Sequence, residues 1–248
     1  MNRRQFLKSA VITAVGTFAL NSCKKTVFES NKISKRSSKM KVLLVNGSPH
    51  KEGCTYTALK IVSDTLNKEG IETEIFWIET KPLSGCLGCG ICFKKHKCVF
   101  DDVVNEFAEK AKNCDGFVFG SPVHYASMSG AMTSFMDRVF MSDEGGNHNL
   151  LRKPAAVVTS SRRAGATATL DQLQKWLSYS EMPIISSRYW NEVHGFTPQD
   201  VLKDEEGVQI MKVLGKNMAW FLKCIQAGKE NGIAEPKTET KIFTNFIR

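Results

Sequence analysis

The chain has 248 residues, enough for one domain with a full core and a tail. Hydrophobic residues make up 42% of it and charged residues 24%, the balance of an ordinary globular protein. The net charge of +9 lies wholly in residues 1–41, so the body beyond them is neutral, which argues against the clustered positive surface that a nucleic-acid groove requires.

The first 23 residues read as an export signal. Arg3-Arg4-Gln5-Phe6-Leu7-Lys8 resembles the twin-arginine motif, which handles proteins exported after folding. The apolar run Ala10–Leu20 has the length of a signal core and is too short to span a bilayer. Leu20-Asn21-Ser22-Cys23 resembles a lipoprotein cleavage box, with Asn21 in place of the usual small residue. The expectation is a cell-envelope protein on the periplasmic side, a lipid on Cys23 being its one membrane contact; a cytoplasmic protein is the alternative. Residues 24–39 are rich in Lys, Ser and Asn and predict a flexible basic linker, so the folded domain spans 40–248.

Val42–Asn46 is a short continuous apolar run, as in a strand buried on both faces. Thr55–Lys68 has helical spacing through Ala58, Leu59, Val62 and Leu66, and Ile71–Ile78 predicts a second strand. Val103, Val104, Phe107, Ala108 and Ala111 mark a helix face behind an Asp101 or Asp102 cap. Gly116–Gly120 predicts a third strand and Met128–Phe140 a helix. Ala155–Ser160 and Met182–Ser187 predict the fourth and fifth strands, separated by a helix over Ala166–Ser178, and Glu205–Gln226 a long final helix. Five strands alternating with helices imply an α/β fold, a parallel sheet covered on both faces. Ligands of such sheets sit beyond the carboxyl ends of the strands, at the switch point, so the loops after strands one, three and four carry the chemistry.

Between the second strand and the next helix, in loop 84–100, Cys86, Cys89, Cys92 and Cys98 follow the pattern C-x2-C-x2-C-x5-C. Thiolates are soft ligands that favour zinc, copper(I) or iron–sulfur clusters. Zinc sites usually pair two C-x2-C knuckles across a long spacer. The overlapping run here is closer to the compact C-x2-C-x2-C signature of four-iron clusters. Cys98 follows a five-residue spacer and precedes Val99, which places it to close the same cluster. Gly85, Gly88 and Gly90 let the loop fold tightly and aim N–H groups at sulfur. The expectation is a 4Fe-4S cluster, with zinc or a metal-free loop as alternatives. Cys54, Cys114 and Cys224 are scattered and read as small packing residues.

The loop after the first strand runs Asn46-Gly47-Ser48-Pro49-His50-Lys51-Glu52-Gly53-Cys54-Thr55-Tyr56. Its glycines let the backbone turn closely, Ser48 and Thr55 offer hydroxyls, and the helix that follows offers free N–H groups, which suits a phosphate. An ordinary strand–helix turn uses the same residues. The loop is neither a Walker loop nor a G-x-G-x-x-G turn. After the third strand, Pro122 stiffens the exit, Tyr125 offers an aromatic face, and small residues let a planar ligand approach the backbone. After the fourth, Arg162 and Arg163 precede a helix whose dipole they oppose, so they call for another reason to be there.

Gly47-Ser48-Pro49 with Gly53 and Thr55, the cysteine loop, and Ser121-Pro122-Val123 running into Asp137-Arg138 occur in this order. In combination they resemble the NADPH-dependent FMN reductase group of the flavodoxin-like superfamily, and the four cysteines narrow the resemblance to its iron–sulfur flavoprotein branch. The resemblance spans about residues 40–190. It implies a three-layer flavodoxin-like fold with strand order 2-1-3-4-5 and a flavin-dependent oxidoreductase that binds FMN. By position, Ser48, Pro49, Gly53 and Thr55 would surround the phosphate. Pro122, Val123, His124, Tyr125, Ala126 and Ser127 would line the ring, His124 standing where relatives often carry an aromatic hydroxyl. Ser161, Arg162, Arg163 and Gly165 would form the third wall, where a guanidinium near the pyrimidine end stabilises anionic reduced flavin. No catalytic residue is assigned. The implied partners are an electron donor or acceptor protein, a quinol or a nicotinamide, and further copies of the chain in a homo-oligomer. Two rival functions remain: an FMN-only NAD(P)H or quinone reductase with a non-functional cysteine loop, and a zinc-stapled binding module that is not an enzyme.

Overall fold

The structure is a computed structural model that describes residues 39–146, 148–244 and 246. The export signal expected over 1–23, its Cys23, and the linker over 24–39 save its last residue lie outside the described residues. Strand β1 (Lys41–Asn46) carries Val42-Leu43-Leu44-Val45, all fully buried. Such a run is stable only with helices above and below it, which makes β1 a central strand. It pairs in parallel with β2 (Glu72–Trp77) on one side and β3 (Gly116–His124) on the other. A two-residue strand, β4 (Ser127–Met128), folds back on the end of β3, and β5 (Ala155–Ser161) and β6 (Glu192–His194) extend the sheet beyond it. The parallel order is β2-β1-β3-β5-β6, which is 2-1-3-4-5 when the parallel strands alone are numbered.

Alternation along β1 divides the core in two. Val42 and Leu44 pack with α1 (Cys54–Lys68), α6 (Pro198–Lys203) and α7 (Glu205–Glu230). Leu43 and Val45 pack with α3 (Val103–Ala111), α4 (Gly130–Glu144) and α5 (Ala166–Tyr179). On the second face Phe107 of α3 sits among Phe76, Phe117, Phe119 and Phe135, with ring centroids 5.3–6.1 Å away. Offset and edge-on rings at this spacing attract beyond their buried area. That anchor fixes the short α3, whose start adjoins the cysteine loop.

Two segments differ from the sequence expectation. Met182–Ser187 is not a strand: only Ile184 forms a bridge, to Ala155. Pro183 has no N–H to donate to a ladder. Beyond it Ser186 O accepts from Asn217 Nδ2 (2.8 Å) and Ser187 Oγ donates to Ile210 O (2.8 Å), so α7 draws the chain off the sheet edge. The chain returns at Asn191, whose carbonyl accepts from Thr159 N–H (2.9 Å), and β6 supplies the fifth parallel strand. The third strand also runs past Gly120 to His124 and turns into a hairpin, so Met128 belongs to β4 and α4 begins at Gly130. Pro122 is tolerated there because β1 has ended opposite Gly120, leaving β5 as the partner.

Candidate functional site

The carboxyl ends of β1, β3 and β5 open on one rim. In the first loop the buried Asn46 side chain acts as a template: Oδ1 accepts from Ser48 N–H (3.1 Å) and Nδ2 donates to Lys51 O (3.0 Å). Ser48 Oγ accepts from His50 N–H (3.1 Å), and Trp77 Nε1 donates to Ser48 O (2.8 Å). Pro49 is exposed at the tip. Gly47 N–H donates to Gly120 O (2.8 Å), and a Cβ on Gly47 would lie 2.9 Å from that carbonyl. Only glycine allows β1 and β3 to remain this close at the rim. Thr55 is buried, and its Oγ1 shares a hydrogen bond with Ser160 Oγ (2.8 Å). Helix α1 starts after Gly53 without a side-chain cap. Its first-turn N–H groups therefore face the loop, the arrangement that attracts an anion.

The second loop is a tight hairpin. Val123 pairs with Met128 and His124 with Ser127, leaving Tyr125 and Ala126 as the turn. Both have positive φ, +51° and +57°, as a type I′ turn demands. Neither is glycine, so the turn is strained, and such strain concentrates at functional sites. Tyr125 projects fully into solvent and His124 is exposed. Ser127 Oγ donates to Gln172 Oε1 (2.7 Å), which holds β4 against α5. Behind the hairpin Ser129 caps α4, accepting from Met132 N–H (3.2 Å) while donating to Gly47 O (2.8 Å).

In the third loop Arg162 and Arg163 are exposed, and neither makes an ion pair among the described residues. Gly165 has φ +91°, and its α-carbon faces Ala126 and Val123 so closely that a Cβ would lie 2.9 Å from each. The second and third loops are thus in contact. Helix α5 begins after Gly165 without a side-chain cap, whereas α3, α4, α6 and α7 are each capped by a side chain. Of the three long helices that start at this rim, α1 and α5 are left open and α4 is capped by Ser129. Thr159 Oγ1 and Ser161 Oγ on β5 are buried without a hydrogen-bond partner among the described residues. Buried hydroxyls are normally satisfied, so these mark polar capacity available to a ligand. Open amides, partnerless hydroxyls and a glycine-lined wall fit FMN.

The cysteine loop lies between β2 and α3. Gly88 and Gly90 adopt left-handed φ (+62° and +66°), and one short helical turn, α2 (Cys92–Lys95), follows. Cys86 N–H donates to Asp137 Oδ2 (2.7 Å), and Gly88 N–H points at Cys86 Sγ (3.4 Å). Cys89 is exposed; Cys92 is buried, and its Sγ approaches Met141 O (3.7 Å). Burial pushes the Cys92 thiol up. Cys98 is held at both ends of its peptide by Asn105, which accepts from its N–H (2.9 Å) and donates to its carbonyl (3.1 Å). All four cysteines line one cavity of about 360 Å³, together with Leu87, Phe93, Val99 and Arg138.

Arg138 is the charge in that wall, and its side chain is 1% exposed. Its Nη1 and Nη2 donate to Asp102 (2.7 and 2.9 Å), and its Nε and Nη2 donate to Cys98 Sγ (3.3 and 3.2 Å). The Phe100 ring lies 4.6 Å from the guanidinium. Burial works against the charge, but Asp102 and the Cys98 sulfur more than offset it, and the guanidinium pKa is raised. Four soft donors around one cavity, with N–H groups aimed at sulfur, fit an iron–sulfur cluster. No group of three His, Cys, Asp or Glu side chains among the described residues is gathered around a single ion position.

The expected phosphate, ring and third-wall residues all lie on the rim loops, and the expected metal ligands all lie on the cavity. Individual sequence positions gave no warning of Asn46, Trp77, Asn105 or Ser129, which shape these loops from behind. Arg138 did leave a signal: it is a charge amid the apolar positions Phe135, Met136, Val139 and Phe140 of an amphipathic helix.

The profile of the NADPH-dependent FMN reductase family matches residues 40–197. An iron–sulfur flavoprotein of Methanocaldococcus jannaschii is 31% identical over 192 residues, covering 75% of this chain and 100% of that protein. Another, from Clostridioides difficile, is 28% identical over 211 residues, covering 84% of this chain and 87% of that protein. The crystal structure of RosB with bound 8-demethyl-8-formylriboflavin-5'-phosphate shares the fold, with a TM-score of 0.59 at 16% identity, over 84% of this chain and 94% of that one.

Proposed function

The chain belongs to the NADPH-dependent FMN reductase family and is a flavin-dependent oxidoreductase, and we propose that it couples FMN at the three-loop rim to a four-iron cluster on Cys86, Cys89, Cys92 and Cys98. One observation carries the second half of this reading: the four thiols line a single cavity into which Arg138 and Gly88 aim N–H groups at sulfur. The similarity to iron–sulfur flavoproteins supports it. When bound, FMN would take up electrons in pairs and give them up one at a time, and a four-iron cluster would carry them singly, so a chain with both would connect two kinds of carrier.

The chain's own residues bind, orient and polarise. The open first turn of α1, with Ser48 and Gly53 around it, takes the phosphate. Val123, Ala126 and Gly165 shape the seat of the ring, and Pro122, His124, Tyr125 and Ser127 frame it. Arg162 and Arg163 bring positive charge to the rim, where it favours the reduced anionic ring over the oxidised one. The Arg3-Arg4 pair and the apolar run after it support export to the cell envelope, with Cys23 as lipid attachment point. There a membrane quinol or an electron-carrier protein is the proposed partner. The exposed apolar side chains beside the cysteine cavity, Leu87 and Phe93, support association with that partner or with further copies of the chain.

A second reading is an FMN-only reductase with an idle cysteine loop. An absorbance spectrum of anaerobically purified protein, with iron, sulfide and zinc assays, separates the two. Flavin bands with an iron–sulfur shoulder support the first reading. Flavin bands with no iron refute it and leave the second, and a colourless protein with stoichiometric zinc refutes both.

A further inference from the structure

We propose that Arg138 is a positioning residue that fixes Cys98 at the cavity and raises the reduction potential of the cluster held there, with Asp102 as its opposing charge. This inference rests on the cluster reading above.

A buried guanidinium is expensive, because its hydration is lost and must be replaced by well-placed acceptors. Asp102 alone replaces part of it through Nη1 and Nη2. The remaining direction of the fork, Nε with Nη2, is spent on the sulfur of Cys98. The Phe100 ring covers the guanidinium, which keeps water from competing for those donors. Cys98 cannot drift away, because Asn105 holds its N–H and its carbonyl, and Phe107 on the same short helix locks α3 into the core.

The arrangement is paired. Asp137, the residue before Arg138, accepts from the N–H of Cys86. Two consecutive side chains of α4 thus hold the first and last cysteines of the run. Their effects on charge differ. Asp137 touches a peptide, whereas Arg138 touches sulfur itself. Hydrogen bonds from a cation to a ligating sulfur withdraw charge from it and favour the more negative, reduced cluster. The effect is enlarged where water is excluded. Asp102 sits on the adjoining edge of the same guanidinium, sharing Nη2 with Cys98, and opposes it.

The test uses the full chain, loaded anaerobically with iron and sulfide, as wild type and as Arg138→Gln, Arg138→Lys and Asp102→Asn. Asparagine keeps the α3 cap that Asp102 provides. Redox potentiometry followed by electron paramagnetic resonance reads the cluster, and iron and sulfide assays read its occupancy. For Arg138→Gln the reduced-to-oxidised ratio at a fixed potential is expected to fall about tenfold, a shift of ~59 mV for one electron. Asp102→Asn is expected to shift the potential the opposite way, and Arg138→Lys to lie between wild type and Arg138→Gln. Lower occupancy with unchanged potentials would mean that Arg138 only supports the fold, and overturns the proposal. If Arg138→Gln retains no cluster, Asp102→Asn decides alone: an upward shift supports the proposal and no shift overturns it. Wild-type protein that takes up no iron and sulfide overturns the cluster reading and this inference together, whereas loaded protein with immovable potentials overturns this inference alone.

Discussion

Replacing Gly165 by alanine tests whether the second and third rim loops act as one unit. Gly165 has φ +91°, and the added Cβ would lie 2.9 Å from Ala126 Cα and 2.9 Å from Val123 Cγ1. The first of these is a backbone atom and cannot rotate aside, so the hairpin itself must move. A left-handed backbone costs a residue with a Cβ roughly 1–2 kcal/mol. Forced displacement of packed neighbours adds typically about 1–3 kcal/mol. For a domain of this size each kcal/mol lowers the melting temperature by about 2–4 °C, so a loss of roughly 4–20 °C is expected. Gly232 is the control: it has φ +81° and nothing within 4 Å of the added atom, so Gly232→Ala carries only the backbone cost. Thermal unfolding followed by circular dichroism reads the stability. Quenching of flavin fluorescence reads FMN affinity, which should weaken by about tenfold if the ring seat shifts, equivalent to ~1.4 kcal/mol. If Gly165→Ala melts with Gly232→Ala and binds FMN as wild type does, the two loops are not packed against each other.

Ala126→Gly should do the reverse, because it relieves one strained left-handed residue at a smaller entropic cost; a gain of up to ~1 kcal/mol in chemical denaturation is expected, and a loss would rule out the type I′ turn. Asp137→Ala removes the acceptor for the Cys86 N–H and should cost about 1–3 kcal/mol locally, with reduced iron uptake on reconstitution; full uptake would show that the peptide of Cys86 needs no such anchor. Arg163→Ala should lower the flavin potential or weaken FMN binding. Identical potentiometric titrations and identical FMN dissociation constants in variant and wild type would assign Arg163 to the solvent instead.

The central strands and long helices were legible because they rest on local pattern. Val42–Asn46 is apolar throughout, and only a doubly covered strand accepts such a run. The edge was not legible. Met182–Ser187 has a strand's composition, yet whether it pairs depends on Ser186 and Ser187 finding partners on α7, some twenty to thirty residues away in sequence. The hairpin at Tyr125-Ala126 was hidden for a related reason: type I′ turns advertise themselves by Asn-Gly or a similar pair, and this one uses residues that resist the required backbone. Among the site residues, those that display chemistry on a loop, such as Ser48, Cys86 and Arg163, stood out by type and spacing. Those that act from behind, such as Asn46, Asn105 and Ser129, differ from ordinary capping residues only in what they face once the chain is folded.

Helix α4 links the rim and the cysteine cavity through one rigid rod. Ser129 ties its start to Gly47, and Arg138, nine residues on, grips Cys98. Nine residues of helix advance about 14 Å, and each further residue would turn everything beyond it by roughly 100°. The stretch from 129 to 138 therefore has a fixed phase as well as a fixed length. Substitutions on its outer side leave both unchanged, but a single inserted or deleted residue would swing Arg138 out of its buried seat while Ser129 stayed in place. Length changes in this architecture belong outside this stretch, in the connection after Glu144; one alanine inserted after Thr133 should uncouple the two ends, leaving FMN affinity at the rim while iron uptake at the cavity is lost.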